Sequence, residues 1–405
     1  MVPRTAIRGL RKGPVVRVIH VITRLILGGA QENTLLSVEG LMRLGGFEVT
    51  LVTGPPEGPE GQLIDRALAG GVDLVMMKDL VRPVAPVRDA VALARLVRLF
   101  QRERPAVVHT HSAKAGILGR AAARIAAVPH IVHTIHGLPF HPSQSRPVYL
   151  AYVWLERIAA RWCDRIVSVA EAMTAQALAH GIGRPAQFVT IYSGMGTEAF
   201  LHADAERAAT RRGFGIAPDD VVVGKIARLF ELKGHEFILS AMQRVLAAVP
   251  NARLLLVGDG ILRGPLEAEA RRLGIAERVT FAGLVAPERI PAMIGAMDIA
   301  VHCSLREGLA RVLPQALIAG RPIISYDVDG AREVVLDGVT GRLLPVRAVD
   351  ELAEAIVALA RDGDLRARLG AEGRRRCLDP FRTETMVRRL ADLYRDLAER
   401  RRGRV

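Results

Sequence analysis

The chain has 405 residues, 50% of them hydrophobic, 24% charged and only 4% aromatic; it is too long for one ordinary core and suits two domains of roughly 150–200 residues. That balance excludes a disordered chain, and the shortage of aromatic residues leaves Val, Leu, Ile and Ala to build cores of buried parallel strands under helices. The net charge of +14 points to anionic ligands or lipid, or to a basic bias spread over solvated helices; no reading motif or interleaved stacking aromatics favour nucleic acid.

Residues 1–14 form a basic arm (Arg4, Arg8, Arg11, Lys12) followed by no apolar run of signal-peptide length. Strand-like runs then fall at 15–22, 47–53, 72–76, 106–110, 130–135, 165–169 and 187–191. Helical patterns lie between them at 30–44, 86–103, 113–127, 147–163 and 171–180. Such alternation predicts a parallel sheet with helices on both faces. The pattern breaks over 193–220, where a hinge is expected near 195–218. It resumes with strands at 221–227, 253–257, 278–281, 298–302, 322–325 and 341–344. The expected fold is therefore α/β, with two Rossmann-like doubly wound domains facing across a cleft, at 15–195 and 196–380. A final helix at 381–405 either caps the second domain or crosses back to the first.

No apolar stretch approaches 18 residues, so no transmembrane helix is expected. The three cysteines, Cys163, Cys303 and Cys377, are odd in number and lack C-x-x-C spacing. This favours a reducing, cytoplasmic setting, with the inner membrane face as a resting place, and disfavours structural zinc.

Ligands of doubly wound sheets sit outside the carboxyl ends of the strands, which directs attention to four loops. Gly28-Gly29 follows the first strand and precedes a helix whose free N–H groups suit an anion. His109, His111, His133, His136 and His141 cluster after two strand ends. A zinc reading wants a third ligand at suitable spacing, so imidazoles lining a polar cleft are preferred, with His109 and His133 as partly buried strand residues and His136 at a loop tip. Arg228 and Lys233, in I-A-R-L-F-E-L-K-G-H, can converge on a diphosphate. The stretch H-C-S-L-R-E-G-L-A-R-V-L-P-Q-A-L-I-A-G at 302–320 reads as a strand end followed by a helix opened by Glu307 and Gly308, with Gln315 two turns along.

Together these stretches resemble the family 4 retaining glycosyltransferases of the GT-B fold, in the group 1 type. The match runs over nearly the whole chain after Pro14. It rests on Gly28-Gly29, H-S-A-K-A-G-I-L-G-R at 111–120, H-G-L-P-F at 136–140 and S-V-A-E at 168–171. It continues with R-L-F-E-L-K-G at 228–234, V-G-D-G at 257–260, F-A-G at 281–283 and E-G-L-A…A-L-I-A-G at 307–320. The resemblance implies transfer of a sugar from a nucleotide-diphosphate donor, by family frequency a UDP-sugar, to a glycan or polyprenyl-linked acceptor in polysaccharide synthesis. Arg228 and Lys233 would neutralise the leaving diphosphate, Glu307 would contact the donor sugar and His136 would lie near the reacting carbon. Gly28, Gly29, Gly258, Leu284, Gly308, Leu309, Ala310 and Gln315 would hold the donor, and His111 and Lys114 would face the acceptor. Gln315 stands where the family has a second glutamate; its amide both donates and accepts, so ribose binding survives the exchange. With no Asp-x-Asp at a strand end, neither a metal nor a cofactor is expected, the nucleotide sugar being substrate. A sugar-nucleotide epimerase or hydrolase, or a non-catalytic nucleotide-sugar binder, remains the alternative.

Overall fold

Runs such as V-R-V-I-H-V-I-T and A-R-L-L-L-V carry no alternation of apolar and polar residues, as strands covered on both faces require. The computed structural model describes residues 15–56, 61–141 and 144–402, and the basic arm at 1–14 lies outside them. These residues form two compact units. One comprises the chain to Ser168, Ala177–Ile191 and the chain from Met386; the other comprises Val169–Gln176 and Tyr192–Thr385.

The first unit holds seven parallel strands: β1 (Val16–Arg24), β2 (Phe47–Gly54), β3 (Asp73–Met76), β4 (Val107–His111), β5 (His130–Ile135), β6 (Arg165–Ser168) and β7 (Phe188–Thr190). Their order is β3-β2-β1-β4-β5-β6-β7. The second unit repeats the plan with β8 (Val221–Ile226), β9 (Ala252–Val257), β10 (Val279–Gly283), β11 (Ile299–His302), β12 (Ile323–Tyr326) and β13 (Gly341–Leu344), ordered β10-β9-β8-β11-β12-β13. Both orders are doubly wound, reversing between β1 and β4 and between β8 and β11. These switch points are where such sheets open a crevice for ligands.

The last helix, Thr383–Arg402, turns an apolar stripe (Met386, Val387, Leu390, Ala391, Tyr394, Leu397) into the core of the first unit. Gly40 of helix Gly29–Leu44 lets it approach closely, since a Cβ there would lie 2.2 Å from the Val387 side chain. The charged stretch expected to act as a hinge is instead folded onto the second unit. Arg207 and Arg211 both clamp Asp298, at 2.5 and 2.6 Å, and bond the carbonyls that end helix Ile290–Ala296. Charge density alone did not mark it as linker; its carboxylate partner lay some 90 residues away in sequence.

Candidate functional site

In the second unit the loop after β8 is forced into an unusual path. Leu232 and Gly234, on either side of Lys233, have φ of +65° and +71°, the left-handed region that glycine occupies freely and leucine does not. A Cβ on Gly234 would lie 1.9 Å from the carbonyl oxygen of Cys303. The loop is stitched to the segment after β11: Leu305 N–H donates to Leu232 O at 2.8 Å and the Cys303 thiol donates to Gly234 O at 2.9 Å. Glu307 is carried on that same segment, and as a result the Lys233 ammonium is paired with the Glu307 carboxylate.

Glu307 is fixed from three sides. Its N–H donates to Asp329 Oδ2 at 2.6 Å, and the buried His302 ring stands 4.0 Å from its Oε1. Burial pushes this carboxyl up, but the nearby His302 ring and the charge of Lys233 outweigh it and hold the group at about 2. Glu307 is thus ionised throughout the neutral range: an acceptor of hydrogen bonds, not a general acid. Asp329 is itself held, at φ +47°, by Gln176 at 2.6 Å.

Arg228 is exposed, with its guanidinium 5.1 Å from the centre of the Phe230 ring. Gly258, at φ +133°, lies against the start of the same loop; a Cβ there would come within 2.1 Å of Ala227 O. Its N–H donates to Gly283 O, and Leu284 beyond is 77% exposed. Arg228, Lys233, Glu307, Gly258 and Leu284 therefore share the carboxyl end of one sheet.

The expected helix over 307–320 is shorter than the sequence reading. It runs Val312–Ile318, and Gly308, Leu309 and Ala310 are loop residues preceding it. Pro314 is the cause. In the first turn its missing N–H costs nothing, whereas in a helix begun at Glu307 its ring would collide with the carbonyl of Ala310. The amides of Gly308, Leu309 and Ala310 are consequently not a helix terminus. Gly308 O accepts from Gly330 N–H at 2.9 Å, and Gln315, half-buried, makes the first helical bond to Arg311 O.

In the first unit Gly28 caps helix Gly29–Leu44, its carbonyl accepting from Glu32 N–H at 2.9 Å, and Gly29 is exposed. The histidines are more deeply placed than their spacing implied. His109 is fully buried and His133 nearly so, not partly. His111 and Lys114, expected on the acceptor side, are both engaged within the first unit. His111 is 1% exposed with both ring nitrogens occupied, by His20 Nδ1 at 2.9 Å and His136 Nε2 at 3.1 Å. The Lys114 ammonium is tied to Asp89 and to Pro83 O. His136 follows β5 and is half-buried; the ring of His141 lies outside this network.

Sequence reasoning missed His20 and Tyr394. His20 lies on β1 in register with His109 on β4, and thus supplies the third imidazole that a metal reading lacked; His20, His109 and His111 offer ring nitrogens within 4.8 Å of one another. Each nitrogen is, however, already hydrogen-bonded: His109 to Tyr394 Oη at 2.5 Å and Thr134 Oγ1 at 2.6 Å, His20 also to Tyr394 Oη at 3.3 Å. Burial, reinforced by neighbouring imidazoles, holds His109 and His111 well below 6.5, and burial takes His20 to about 3. The cluster is neutral.

Two Rossmann-like sheets, each with its own edge cluster, define the class as a GT-B fold. The chain belongs to the glycosyltransferase group 1 family: the "Glycosyl transferases group 1" model matches residues 206–376 and the "Glycosyl transferase 4-like domain" model matches 28–194. It is an enzyme of the glycosyltransferase type, homologous to bacterial retaining glycosyltransferases. It is 27% identical over 94% of its length, and 97% of the relative, to the UDP-Gal:alpha-D-GlcNAc-diphosphoundecaprenol alpha-1,3-galactosyltransferase of Escherichia coli. It is 29% identical to the GDP-mannose-dependent alpha-(1-6)-phosphatidylinositol monomannoside mannosyltransferase of Mycobacterium tuberculosis, over 82% of the chain and 85% of the relative. The structure of Anabaena HepE in complex with UDP and glucose superposes with a TM-score of 0.79 at 21% identity, covering 93% of this chain and 99% of that one.

Proposed function

We propose that the chain transfers a sugar from a UDP-sugar to a lipid-linked, polyprenyl-diphosphate acceptor in cell-envelope polysaccharide synthesis, with retention at the anomeric carbon. The observation that carries this reading is the Lys233–Glu307 pair at the carboxyl end of the second sheet, with Arg228 and Gly258 beside it. Cleavage of the bond from the anomeric carbon to phosphate builds negative charge on the diphosphate. Lys233 and Arg228 supply fixed positive charge there, the kind of preorganised stabilisation that is often the largest catalytic term. Glu307, ionised, accepts hydrogen bonds from sugar hydroxyls, while the amides of Gly308, Leu309 and Ala310 and the side chain of Gln315 serve phosphate and ribose. Gly28 and Gly29 line the phosphate side of the first unit, and His136 stands near the reacting carbon.

The UDP donor and polyprenyl-linked acceptor are favoured because the Escherichia coli relative bearing those substrates in its name matches both chains almost end to end. The face of the first unit carrying helices Pro86–Glu103 and Arg146–Ala160 supports an acceptor held in a bilayer. Val84, Val87, Leu150 and Trp154 are 81%, 79%, 53% and 61% exposed there, beside Arg88 and Arg157. Apolar side chains fringed by cations suit an anionic membrane surface; no helix among the described residues is long and apolar enough to cross one.

Thermal shifts with UDP, GDP and their hexose derivatives test the donor. At a hundredfold excess over Kd the cognate nucleotide stabilises by about 2.7 kcal/mol, several degrees for a protein of this size. A shift with GDP and none with UDP would overturn the nucleotide, and no shift with any of them the donor class. Flotation with anionic vesicles, lost in Leu150→Ser/Trp154→Ser, checks the membrane face.

A further inference from the structure

We infer that Thr134, His109, Tyr394, His20 and His111 form a hydrogen-bonded relay through the core of the first unit that fixes which ring nitrogen of His136 carries the proton. The relay runs without a gap. Thr134 Oγ1 meets His109 Nε2 at 2.6 Å, His109 Nδ1 meets Tyr394 Oη at 2.5 Å, and Tyr394 Oη meets His20 Nε2 at 3.3 Å. His20 Nδ1 then meets His111 Nε2 at 2.9 Å, and His111 Nδ1 meets His136 Nε2 at 3.1 Å. Four of the five inner members are fully buried and the fifth is 3% exposed.

A neutral imidazole has one donor and one acceptor nitrogen, so along each run of rings choosing one bond chooses the next. If Tyr394 accepted from both rings its own O–H would have no acceptor in the relay; the two arrangements in which it donates to one ring and accepts from the other run in opposite directions. The tyrosine decides between them. Hydroxyl-donated bonds are shorter than N–H-donated ones. His109 has two close hydroxyls, Tyr394 at 2.5 Å and Thr134 at 2.6 Å, and as a neutral ring can accept from only one; the 3.3 Å separation of Tyr394 from His20 marks that contact as the one Tyr394 accepts. Tyr394 therefore donates to His109 Nδ1 and accepts from His20 Nε2–H. His109 Nε2–H then donates to Thr134, His111 Nε2–H donates to His20 Nδ1, and His136 Nε2–H donates to His111 Nδ1. Every member is an Nε2–H tautomer, and the basic lone pair of His136 is on Nδ1.

A divalent cation on the same imidazoles is the competing use of this cluster. It would require breaking the His20–His111 bond and leaving a double charge in a buried site that has no carboxylate among its hydrogen-bonding members. The saturated network favours the relay.

Tyr394, His20 and His111 are on this account positioning residues, and Thr134, accepting from His109, anchors the far end. Their weight in turnover rests on the reading of His136 as an active-site residue; the tautomer does not. Long-range 1H–15N spectra of the full chain labelled with 15N-histidine read each ring directly. The expected wild-type result is Nε2–H for His20, His109, His111 and His136. A buried N–H without an acceptor is rarer than an acceptor without a donor, so Thr134→Val should turn all four to Nδ1–H. Tyr394→Phe should turn His20, His111 and His136 while leaving His109 as it was. An Nδ1–H form of His20, His109, His111 or His136 in the wild-type protein, an unchanged His136 in both variants, or a stoichiometric metal ion in the purified protein overturns the relay. If His136 is an active-site residue, Thr134→Val also lowers kcat by about tenfold or more at nearly constant KM. Should His136→Ala retain full kcat, it is the active-site reading that falls, and the spectra still judge the relay.

Discussion

Lys233 and Glu307 form a pair that is only partly shielded, at 21% and 26% side-chain exposure, so its worth to the fold is small. Its worth to a reaction that accumulates charge on a diphosphate is not. Lys233→Ala is therefore expected to cut kcat by about a hundredfold or more at saturating donor, while Tm moves by no more than about 2 °C; a variant that turns over like the wild type removes the role assigned to Lys233. The neighbouring Gly234→Ala acts differently. Its φ of +71° and the 1.9 Å approach to Cys303 O leave no room for a methyl group, so the loop must shift and take Lys233 with it. Urea unfolding is expected to show a loss of about 1–3 kcal/mol along with a fall in kcat. An equally stable and active Gly234→Ala would mean that the path of this loop is not what holds Lys233 on Glu307.

The stretch from His111 to Arg120 is, at the level of elements, a packing device. Helix Ala113–Ile125 lies so close to the sheet that a Cβ on Gly116 would stand 2.7 Å from His133 and one on Gly119 2.7 Å from Thr110. Arg120, on the same helix, is fully buried and pairs at 2.8 Å with Glu156 of the neighbouring helix. Removing one partner of such a pair strands the other charge, so Glu156→Ala is expected to cost about 3–5 kcal/mol, read from urea denaturation; a loss below ~1 kcal/mol would mean water reaches Arg120. The strands themselves were legible, because runs like those of β1 and β9 are apolar on both faces. The helix after β11 starts at Val312 and not at Glu307 because Pro314 belongs in a first turn, a start signal that the sequence carries openly. The glycines of the 111–120 stretch, which carries part of the family resemblance, report close approach of helix to sheet. His20 and Tyr394 were beyond reach for a deeper reason. They meet His109 only through the β1–β4 register and the docking of the last helix, neither of which leaves a local pattern.

The histidines also give the whole molecule an uneven response to acid. His20 is lowered to about 3 and His109, His111 and His133 well below 6.5, all in the first unit and all chiefly by burial. The second unit has His235, lowered to about 3, and His302, lowered despite Glu307. A histidine whose folded value is depressed leaves the native state neutral while the unfolded chain takes up a proton, so stability falls as pH drops through 6.5 and continues falling towards the folded value. Each such group costs about 1.4 kcal/mol per pH unit in that window. Glu307, lowered from 4.5 to about 2, adds a loss in the same direction only below pH 4.5. Between pH 7.5 and 5.5 the four buried imidazoles of the first unit amount to about 5 kcal/mol, against roughly half that for the second. That is comparable with the entire stability of many domains. Hydrogen exchange under urea, corrected for intrinsic rates, should therefore show peptides from β4 and β5 losing protection at pH 5.5 before those from β9 and β11. Equal loss in both sheets, or a first unit whose stability changes by less than about 1 kcal/mol, would mean that these imidazoles are protonated in the native state and that the neutral network in the first unit does not exist.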